Sequence, residues 1–523
     1  PFNSRQRLPR LLRSKVESFP QPCSLAGNCR FQRHPQPLCN MAAPSFNDRT
    51  GRFLQWFKNL PGATLSDSIE IADLRCRNAG RGMVATRDIA ADATLFTIPR
   101  RAIINVHTSQ LRQQLPHLFE SQGDGDDEQG LDSWSALILI LMYEHLEGES
   151  SAWKPYLDIL PETFDTPMFW SDEELSNLQG SALRHRIGKA DAEDMFRAKL
   201  LPAIRGNPAV FRCSGPYSDE DLIQLAHRMG STIMAYAFDL ENDVDEDNDE
   251  DWWVEDREGK SLMGMVPMAD TLNADAEFNA HVNHEDASLT VTSLRPIKAG
   301  EEILNYYGPH PNSELLRRYG YVTEKHSRYD VVEIPWTVVE GAIMSHLRVC
   351  QVTMEKAVSA LDACLRVART DADLAKRKRI NEDELEDTFV LERESGEPNS
   401  DGTFAGPASV AEIPADLQEQ LKTFLKALQN TDAGLIPEKR KRDDLQQAIL
   451  ADSILAIELR YTTSIAADHQ FLLQNLGQRH RMAVQVRLGE KRLLEEAKVC
   501  LSVSADHASD GPAAPSKKTK RPE

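Results

Sequence analysis

Aromatic side chains crowd two short stretches near the middle of the chain. Tyr306 and Tyr307 precede Gly308, and Tyr319 precedes Gly320, so two Tyr-Gly pairs lie twelve residues apart with a predicted helical turn between them. Rings at this density in a polar setting suit a cage around an organic cation, such as an alkylammonium or a sulfonium. The alternative is a set of core tyrosines with satisfied hydroxyls, and the spacing alone leaves both interpretations open.

Two further segments carry residue types that bind ligands. Asn78–Ala85, N-A-G-R-G-M-V-A, has two glycines flanking one residue ahead of a predicted strand, which lets the backbone approach a ligand closely. This turn is a weak signal by itself, because similar turns occur in any β protein. Met265–Asn273, M-V-P-M-A-D-T-L-N, and Glu301–Gly308, E-E-I-L-N-Y-Y-G, add carboxylates, amides and the first tyrosine pair.

Taken together, these segments resemble the SET domain. Their order is a G-x-G turn, a long helical insertion, P-x-A-D-x-x-N, G-E-E-I-x-x-x-Y-G and a final tyrosine, over roughly residues 51–332. The insertion and the helical C-terminal region resemble the Rubisco large-subunit methyltransferase subgroup. Within it, residues 310–322 and 234–238 are similar to the fungal ribosomal lysine methyltransferases. The resemblance implies an α+β fold: a SET-type β fold with a helical insertion, followed by an all-α C-terminal domain.

The resemblance also implies an activity. It implies an S-adenosylmethionine-dependent protein-lysine N-methyltransferase that acts on a large-subunit ribosomal protein. The nucleus is the expected location, with the cytoplasm as a second one. Two alternatives stay open: a methyltransferase for a chromatin, signalling or other non-ribosomal protein, and a non-catalytic SET-fold binding protein. The retained Asn273, Tyr307 and Tyr319 argue against the non-catalytic alternative.

Site residues follow from the resemblance, motif by motif. Tyr319 is the expected catalytic residue, facing the reacting amine. Cofactor contacts are expected from seven residues: Ala79, Gly80, Arg81, Tyr236, Asn273, Ala274 and Tyr307. The substrate channel is expected to include Trp153, Asp239 and Asp270. The family usually has Asn-His where this chain has Asn273-Ala274; the histidine acts largely through its backbone, which alanine also supplies.

Local patterns predict the elements that must position these residues. Strands are predicted at Ile69–Leu74, Gly82–Thr86, Leu95–Ile98, Met263–Met268, Ser288–Leu294 and Glu302–Asn305. Helices are predicted at Phe53–Asn59, at Trp134–Leu146 and at Asp172–Leu178, where Ser171 and Glu174 form a capping-box pattern.

The chain is predicted to divide into regions of different composition. Residues 1–50 are interpreted as a disordered or non-native extension, and 51–332 as the SET domain, with its helical insertion at about 107–238 and an acidic loop at 239–251. Residues 333–505 are expected to form the helical substrate-binding domain, with a disordered loop at 381–412 that is rich in Glu, Asp, Gly, Pro and Ser. Residues 506–523 are a basic tail.

Composition limits the partners. The net charge is −21, with 81 acidic against 60 basic residues, which disfavours direct nucleic-acid binding and favours a basic protein partner. No apolar run is long enough to predict a membrane span, and a monomer is expected. The eight cysteines are scattered without a C-x-x-C, so no zinc or other metal site is predicted. The cluster Lys517–Arg521 in the tail is interpreted as a nuclear import signal.

Overall fold

A computed structural model describes residues 45–77, 79–119, 130–212, 217–240, 262–349, 351–357, 359, 386–431, 434–436 and 439–509. The predicted N-terminal extension, acidic loop and basic tail lie largely outside these ranges. None of the helices within them is long and apolar enough to cross a bilayer.

Short strands build the β part of the fold. In chain order they are β1 Thr64–Leu65, β2 Ile69–Asp73, β3 Arg81–Ala85, β4 Thr94–Pro99, β5 Ala237–Asp239, β6 Met263–Met265, β7 Asn273–Ala274, β8 Ala280–His284, β9 Ser288–Ser293, β10 Glu302–Asn305, β11 Val332–Pro335 and β12 Thr388–Leu391. One sheet has the order β1-β4-β9-β8 and a second has the order β2-β3-β10-β7, while β5-β6 and β11-β12 form pairs. Alternate residues of β9 are buried, so one face of that strand supplies core side chains.

Most of the helices lie in the insertion and in the C-terminal region. In chain order they are α1 Phe46–Lys58, α2 Leu111–Gln114, α3 Ser133–Glu147, α4 Lys154–Leu157, α5 Asp172–Ser176, α6 Lys189–Met195, α7 Leu201–Gly206, α8 Asp219–Tyr236, α9 Asn312–Tyr319, α10 Trp336–Leu347, α11 Ala415–Thr431, α12 Lys439–Glu458, α13 Ile465–Leu472 and α14 Gln478–Ser509. The predicted capping box of α5 is confirmed, since Ser171 and Glu174 each bind the other's backbone amide. Helix α3 is buried on nearly all sides, which fits its unbroken apolar sequence.

The first helix begins earlier than its sequence pattern predicts. Phe53–Asn59 was the predicted span, whereas α1 starts at Phe46, before the predicted domain boundary at residue 51. Its first turns are fixed by distant contacts, because the Arg81 guanidinium stacks on the Phe46 ring at 4.0 Å and donates to the Thr50 hydroxyl at 3.0 Å. Apolar residues at helical spacing begin only at Phe53, where side chains reach the core. The sequence pattern therefore does not reveal the first turns of α1.

The prediction of a disordered loop at 381–412 is wrong for residues 386–412. Strand β12 pairs with β11, and the following arm is tied down by charged side chains. Arg393 binds Glu496 of α14 at 2.8 Å, and the Arg328 guanidinium lies 3.3 Å from the centre of the Phe404 ring. These contacts join residues that are far apart in sequence. The composition of the segment alone does not reveal them, and it therefore predicts disorder.

Helix α14 joins the C-terminal region to the insertion through a buried carboxyl. Glu490 is 5% exposed and accepts hydrogen bonds from the Ser181 hydroxyl at 2.7 Å and the Tyr461 hydroxyl at 2.9 Å. Burial, reinforced by the nearby Asp330 and Glu333 carboxyls, raises the pKa of Glu490 from 4.5 to about 8. The carboxyl is therefore mostly protonated at neutral pH.

Glu490→Gln is expected to stabilise the protein at pH 8 but not at pH 4. The raised pKa of about 8 in the folded state means that the stability given by the protonated carboxyl is fully present below about pH 4.5 and is lost as the pH rises through 8. Glutamine stays neutral across this window. Thermal unfolding should therefore show a gap of several degrees between variant and parent at pH 8, shrinking toward pH 4. Glu495→Gln, at an exposed position of the same helix, is the control and should show no such trend.

Candidate active site

Three tyrosine rings meet where β10 and α9 end. The rings of Tyr307 and Tyr319 stack with centroids 4.9 Å apart, and Tyr321 lies 6.0 Å from Tyr319. The Tyr307 hydroxyl donates to the Leu272 carbonyl at 2.7 Å, and the Tyr321 hydroxyl donates to the Ala274 carbonyl at 3.5 Å. Burial raises the pKa of all three phenols, so the cage presents neutral hydroxyls and aromatic faces, as cation binding needs.

Adjacent tyrosines of the first pair face different environments. Whereas Tyr307 stacks on Tyr319, the Tyr306 ring stacks on Phe278 at 4.7 Å, and its hydroxyl lies 3.1 Å from that of Tyr329. Neighbouring residues of extended backbone point to opposite sides, so only one of the pair reaches the cage. The core interpretation therefore fits Tyr306, and the cage interpretation fits Tyr307.

Strand β10 brings the other motif segments together. It lies between β3 and β7, with Ile303 opposite Met83 on one side and Leu304 opposite Asn273 on the other. The Asn273 amide donates to the Glu302 carboxylate at 2.7 Å. The G-x-G turn, the P-x-A-D-x-x-N segment and the G-E-E-I segment are thus neighbours in one sheet.

The two glycines of the turn have different surroundings. A Cβ atom on Gly80 would meet no atom within 4 Å, whereas one on Gly82 would lie 2.8 Å from both the Asn273 amide nitrogen and a Glu302 carboxylate oxygen. The turn is closed by the Leu74 amide, which donates to the Gly80 carbonyl at 3.0 Å, and by the Ala79 amide, which donates to the Leu74 carbonyl at 3.2 Å. Glycine at position 82 therefore lets the Asn273 and Glu302 side chains pack directly against the β3 backbone. Asn78 lies outside the described residues.

Arg81 has a structural side chain. Besides its contacts with α1, its guanidinium donates to the Ile159 carbonyl at 2.8 Å, and burial lowers its pKa to about 10. The guanidinium is therefore engaged within the fold. A cofactor contact from Arg81 is expected through its main chain, as the motif predicts.

A buried acid lies behind the cage. Asp270 accepts a hydrogen bond from the Tyr156 hydroxyl at 2.5 Å, and burial raises the pKa of Asp270 to about 7. Burial and the nearby Asp270 carboxyl raise the pKa of Tyr236 to about 12. Sequence reasoning missed Tyr156, although it ends the Trp-Lys-Pro-Tyr motif that contains Trp153.

The two remaining predicted substrate residues are Trp153 and Asp239. The Trp153 indole donates to the Ala102 carbonyl at 2.8 Å within the core, which is a packing role. Asp239 pairs with Met263 at the end of β5, directly before residues 241–261, which are outside the described ranges. Their predicted place in a substrate channel stays a prediction.

His310 was also missed by sequence reasoning. Its ring lies 6.1 Å from Tyr319, and burial lowers its pKa to about 4. The imidazole is therefore neutral near physiological pH and does not repel a cation held by the tyrosines. It lies two residues before α9, in the 310–322 stretch that carries the resemblance, but that resemblance assigned it no role.

Comparisons with known proteins find a SET domain and related lysine methyltransferases. The SET domain family model matches residues 80–308. Ribosomal lysine N-methyltransferase 4 of Saccharomyces cerevisiae is 36% identical over 338 residues, which are 63% of this chain and 65%, just under two thirds, of the yeast protein. N-lysine methyltransferase setd6 of Xenopus laevis is 29% identical over 480 residues, covering 85% of this chain and 93% of the relative.

Solved structures share the fold. The SET domain of LSMT bound to lysine and AdoHcy superposes with a TM-score of 0.58 at 19% identity, covering 89% of this chain and 93% of that one. Rubisco LSMT bound to AdoMet gives 0.56 at 20% identity, covering 87% and 92%. The chain thus contains a SET domain, and the two relatives named above are lysine methyltransferases. S-adenosylmethionine, the AdoMet of the LSMT structure, is the cofactor that this similarity implies.

The described residues fit this cofactor. The Asn273 amide and the Glu302 carboxylate, which pack against Gly82, are groups that suit the polar end of an amino acid. The cluster of aromatic rings formed by Tyr307, Tyr319 and Tyr321 suits the sulfonium. We expect Ala79, Gly80 and Ala274 to add main-chain contacts.

Asn273→Ala is expected to weaken binding of S-adenosylmethionine by roughly 1–3 kcal/mol, because it leaves polar partners unsatisfied in a closed site. Titration calorimetry of the folded variant measures the change. Asn283→Ala is the matched control, since that amide binds Thr290 and Thr292 within the other sheet and should leave the dissociation constant unchanged. An unaltered affinity in the Asn273 variant would remove this residue from the cofactor site.

Proposed function

We propose that this chain methylates a lysine of a large-subunit ribosomal protein, using S-adenosylmethionine, in the nucleus. The observation that carries the methylation is the cage of Tyr307, Tyr319 and Tyr321 beside Asn273. Two facts support the ribosomal substrate: the similarity to the yeast ribosomal lysine methyltransferase and the net charge of −21, which favours basic partners.

The lysine amine must reach the cage uncharged. A free lysine has a pKa of about 10.4, so roughly one in a few thousand is neutral at pH 7. An apolar, aromatic channel disfavours the ammonium form and lowers that pKa. Burial also keeps His310 neutral, so no imidazolium adds to the charge around the amine.

Positioning is the main task of the protein's own residues. The Tyr319 hydroxyl, at the end of α9, is proposed to accept a hydrogen bond from an N–H of the amine, which aims the amine's lone pair at the methyl group. Tyr307 holds the ring of Tyr319 by stacking and is itself fixed by its bond to Leu272. When bound, S-adenosylmethionine supplies a methyl group on a positively charged sulfur. Alignment at near-attack distance then provides much of the acceleration.

The test is a methylation assay on purified large-subunit ribosomal proteins, read by mass spectrometry. A single modified lysine that is absent with Tyr319→Phe is the expected result. Histones serve as equally basic proteins outside the ribosome. Labelling of histones but of no ribosomal protein would overturn the ribosomal assignment.

A second candidate is a non-ribosomal protein substrate. It is favoured by the similarity to the Xenopus laevis N-lysine methyltransferase, which extends over 93% of that relative. The same assay on a nuclear extract depleted of ribosomes distinguishes the two, because the modified protein is identified directly.

The nuclear location rests on the Lys517–Arg521 cluster, which lies outside the described residues. A fluorescent fusion should concentrate in the nucleus. Replacing Lys517, Lys518, Lys520 and Arg521 with Gln should redistribute it to the cytoplasm, and an unchanged distribution would contradict this role.

A further inference from the structure

Besides Glu490, an arginine at the start of helix α14 contacts the insertion. The Arg479 guanidinium donates to the Asp165 carboxylate at 3.1 Å, the Phe169 carbonyl at 2.9 Å and the Glu174 carboxylate at 3.0 Å. A fourth contact, to the Phe164 carbonyl, is 3.5 Å long. A single side chain of the C-terminal region thus binds four groups of residues 164–174, hereafter the bracing segment.

The bracing segment lies directly against the residue that follows Tyr319. Gly320 has a φ of +76° and ends α9, donating its amide to the Leu315 and Leu316 carbonyls at 3.1 and 3.2 Å. A Cβ atom at Gly320 would lie 3.1 Å from the Asp165 carbonyl carbon and 3.2 Å from the Thr166 nitrogen. The backbone after Tyr319 therefore rests on the backbone that Arg479 holds.

Helix α9, the bracing segment and α14 share a small apolar core. Leu316, one turn before Gly320, packs in a buried cluster with residues of the bracing segment, the insertion and α14: Trp170, Leu178, Leu183, Met482, Ala483 and Val486. The Trp170 indole donates to the Asp165 carbonyl at 2.8 Å. Both the apolar cluster around Leu316 and the backbone of the bracing segment therefore contact the last turns of α9.

We propose that Arg479 is a positioning residue for Tyr319. Its two carboxylate partners are partly exposed, with side-chain exposures of 42% for Asp165 and 37% for Glu174, so solvent screens the ion pairs and their contribution to overall stability is small. The forked guanidinium instead fixes two carbonyls and two carboxylates at once, which a single ammonium does not reproduce. Arg479 fixes the bracing segment, the segment fixes Gly320, and Gly320 fixes the direction of the Tyr319 ring.

The test compares Arg479→Met and Arg479→Lys with a matched control at Arg481. Arg481 is in the same turn of α14, but it donates to the Leu472 and Gln474 carbonyls, which belong to the C-terminal region alone. Arg479→Met is expected to lower kcat at least tenfold, with the dissociation constant of S-adenosylmethionine and the KM of the protein substrate within twofold of the parent. Arg479→Lys should recover part of the loss, and Arg481→Met should stay within twofold in kcat.

Hydrogen exchange supplies a readout that needs no turnover. Amides of 165–170 and 318–321 should exchange faster in Arg479→Met and remain unchanged in Arg481→Met. This inference rests on lysine methylation by the chain, not on the identity of its substrate. If the parent methylates none of the proteins offered, the proposed function fails, while the exchange data still decide the positioning role. The positioning role would be overturned by equal kcat losses in Arg479→Met and Arg481→Met. It would also be overturned if Arg479→Met left the hydrogen exchange of amides 318–321 unchanged.

Discussion

Tyr319→Phe is expected to lower turnover about 100-fold, within the range found for removing one group that positions or polarises a reacting centre. The ring and its 4.9 Å stacking on Tyr307 are kept in the phenylalanine variant, so the cage persists and only the hydroxyl is removed. Affinity for S-adenosylmethionine should therefore change by less than twofold. The loss appears in kcat because the hydroxyl acts on the amine when the reacting atoms are aligned.

Steady-state assays at saturating cofactor, combined with calorimetry, measure both quantities. Tyr217→Phe is the control, because this tyrosine is 39% exposed and undergoes the same chemical change away from the cage. Turnover of Tyr319→Phe within twofold of the parent would show that another group orients the amine.

Gly82→Ala is expected to raise the dissociation constant of S-adenosylmethionine at least tenfold, about 1.4 kcal/mol. The new methyl group would lie 2.4 Å from the Leu74 side chain and 2.8 Å from the Asn273 and Glu302 side chains. All three atoms end flexible side chains, so the fold can accommodate the methyl by moving them. That movement displaces the Asn273 amide from the cofactor site, so binding suffers more than stability.

Calorimetry and thermal unfolding together separate these effects. Gly51→Ala is the control, because a Cβ atom at this position of α1 would meet nothing within 4 Å and alanine favours the helix. A Gly82→Ala variant that binds the cofactor as tightly as the parent would show that the crowded space beside Asn273 is not part of the binding site.

The order of the motifs predicted the SET domain that the family model matches, and local patterns predicted most of the helices and strands. The predicted Glu302–Asn305 strand has the same bounds in the structure, and the Trp134–Leu146 helix is extended by one residue at each end to Ser133–Glu147. Ser171 and Glu174 predicted their capping box because both partners are three residues apart. Such features depend on neighbours in sequence, so the sequence by itself suffices for them.

Only the tertiary structure decided which residues meet at the site. Sequence could not tell which tyrosine of the 306–307 pair faces the cage, that the Arg81 guanidinium is engaged in packing, or that Tyr156 binds Asp270. It also predicted disorder for an arm that Arg393 ties to Glu496, 103 residues away. Each of these outcomes depends on a contact between distant segments, whose closure is set by the sheet order around β10 and by the packing of α14. Local patterns of residue types do not predict such contacts between distant segments.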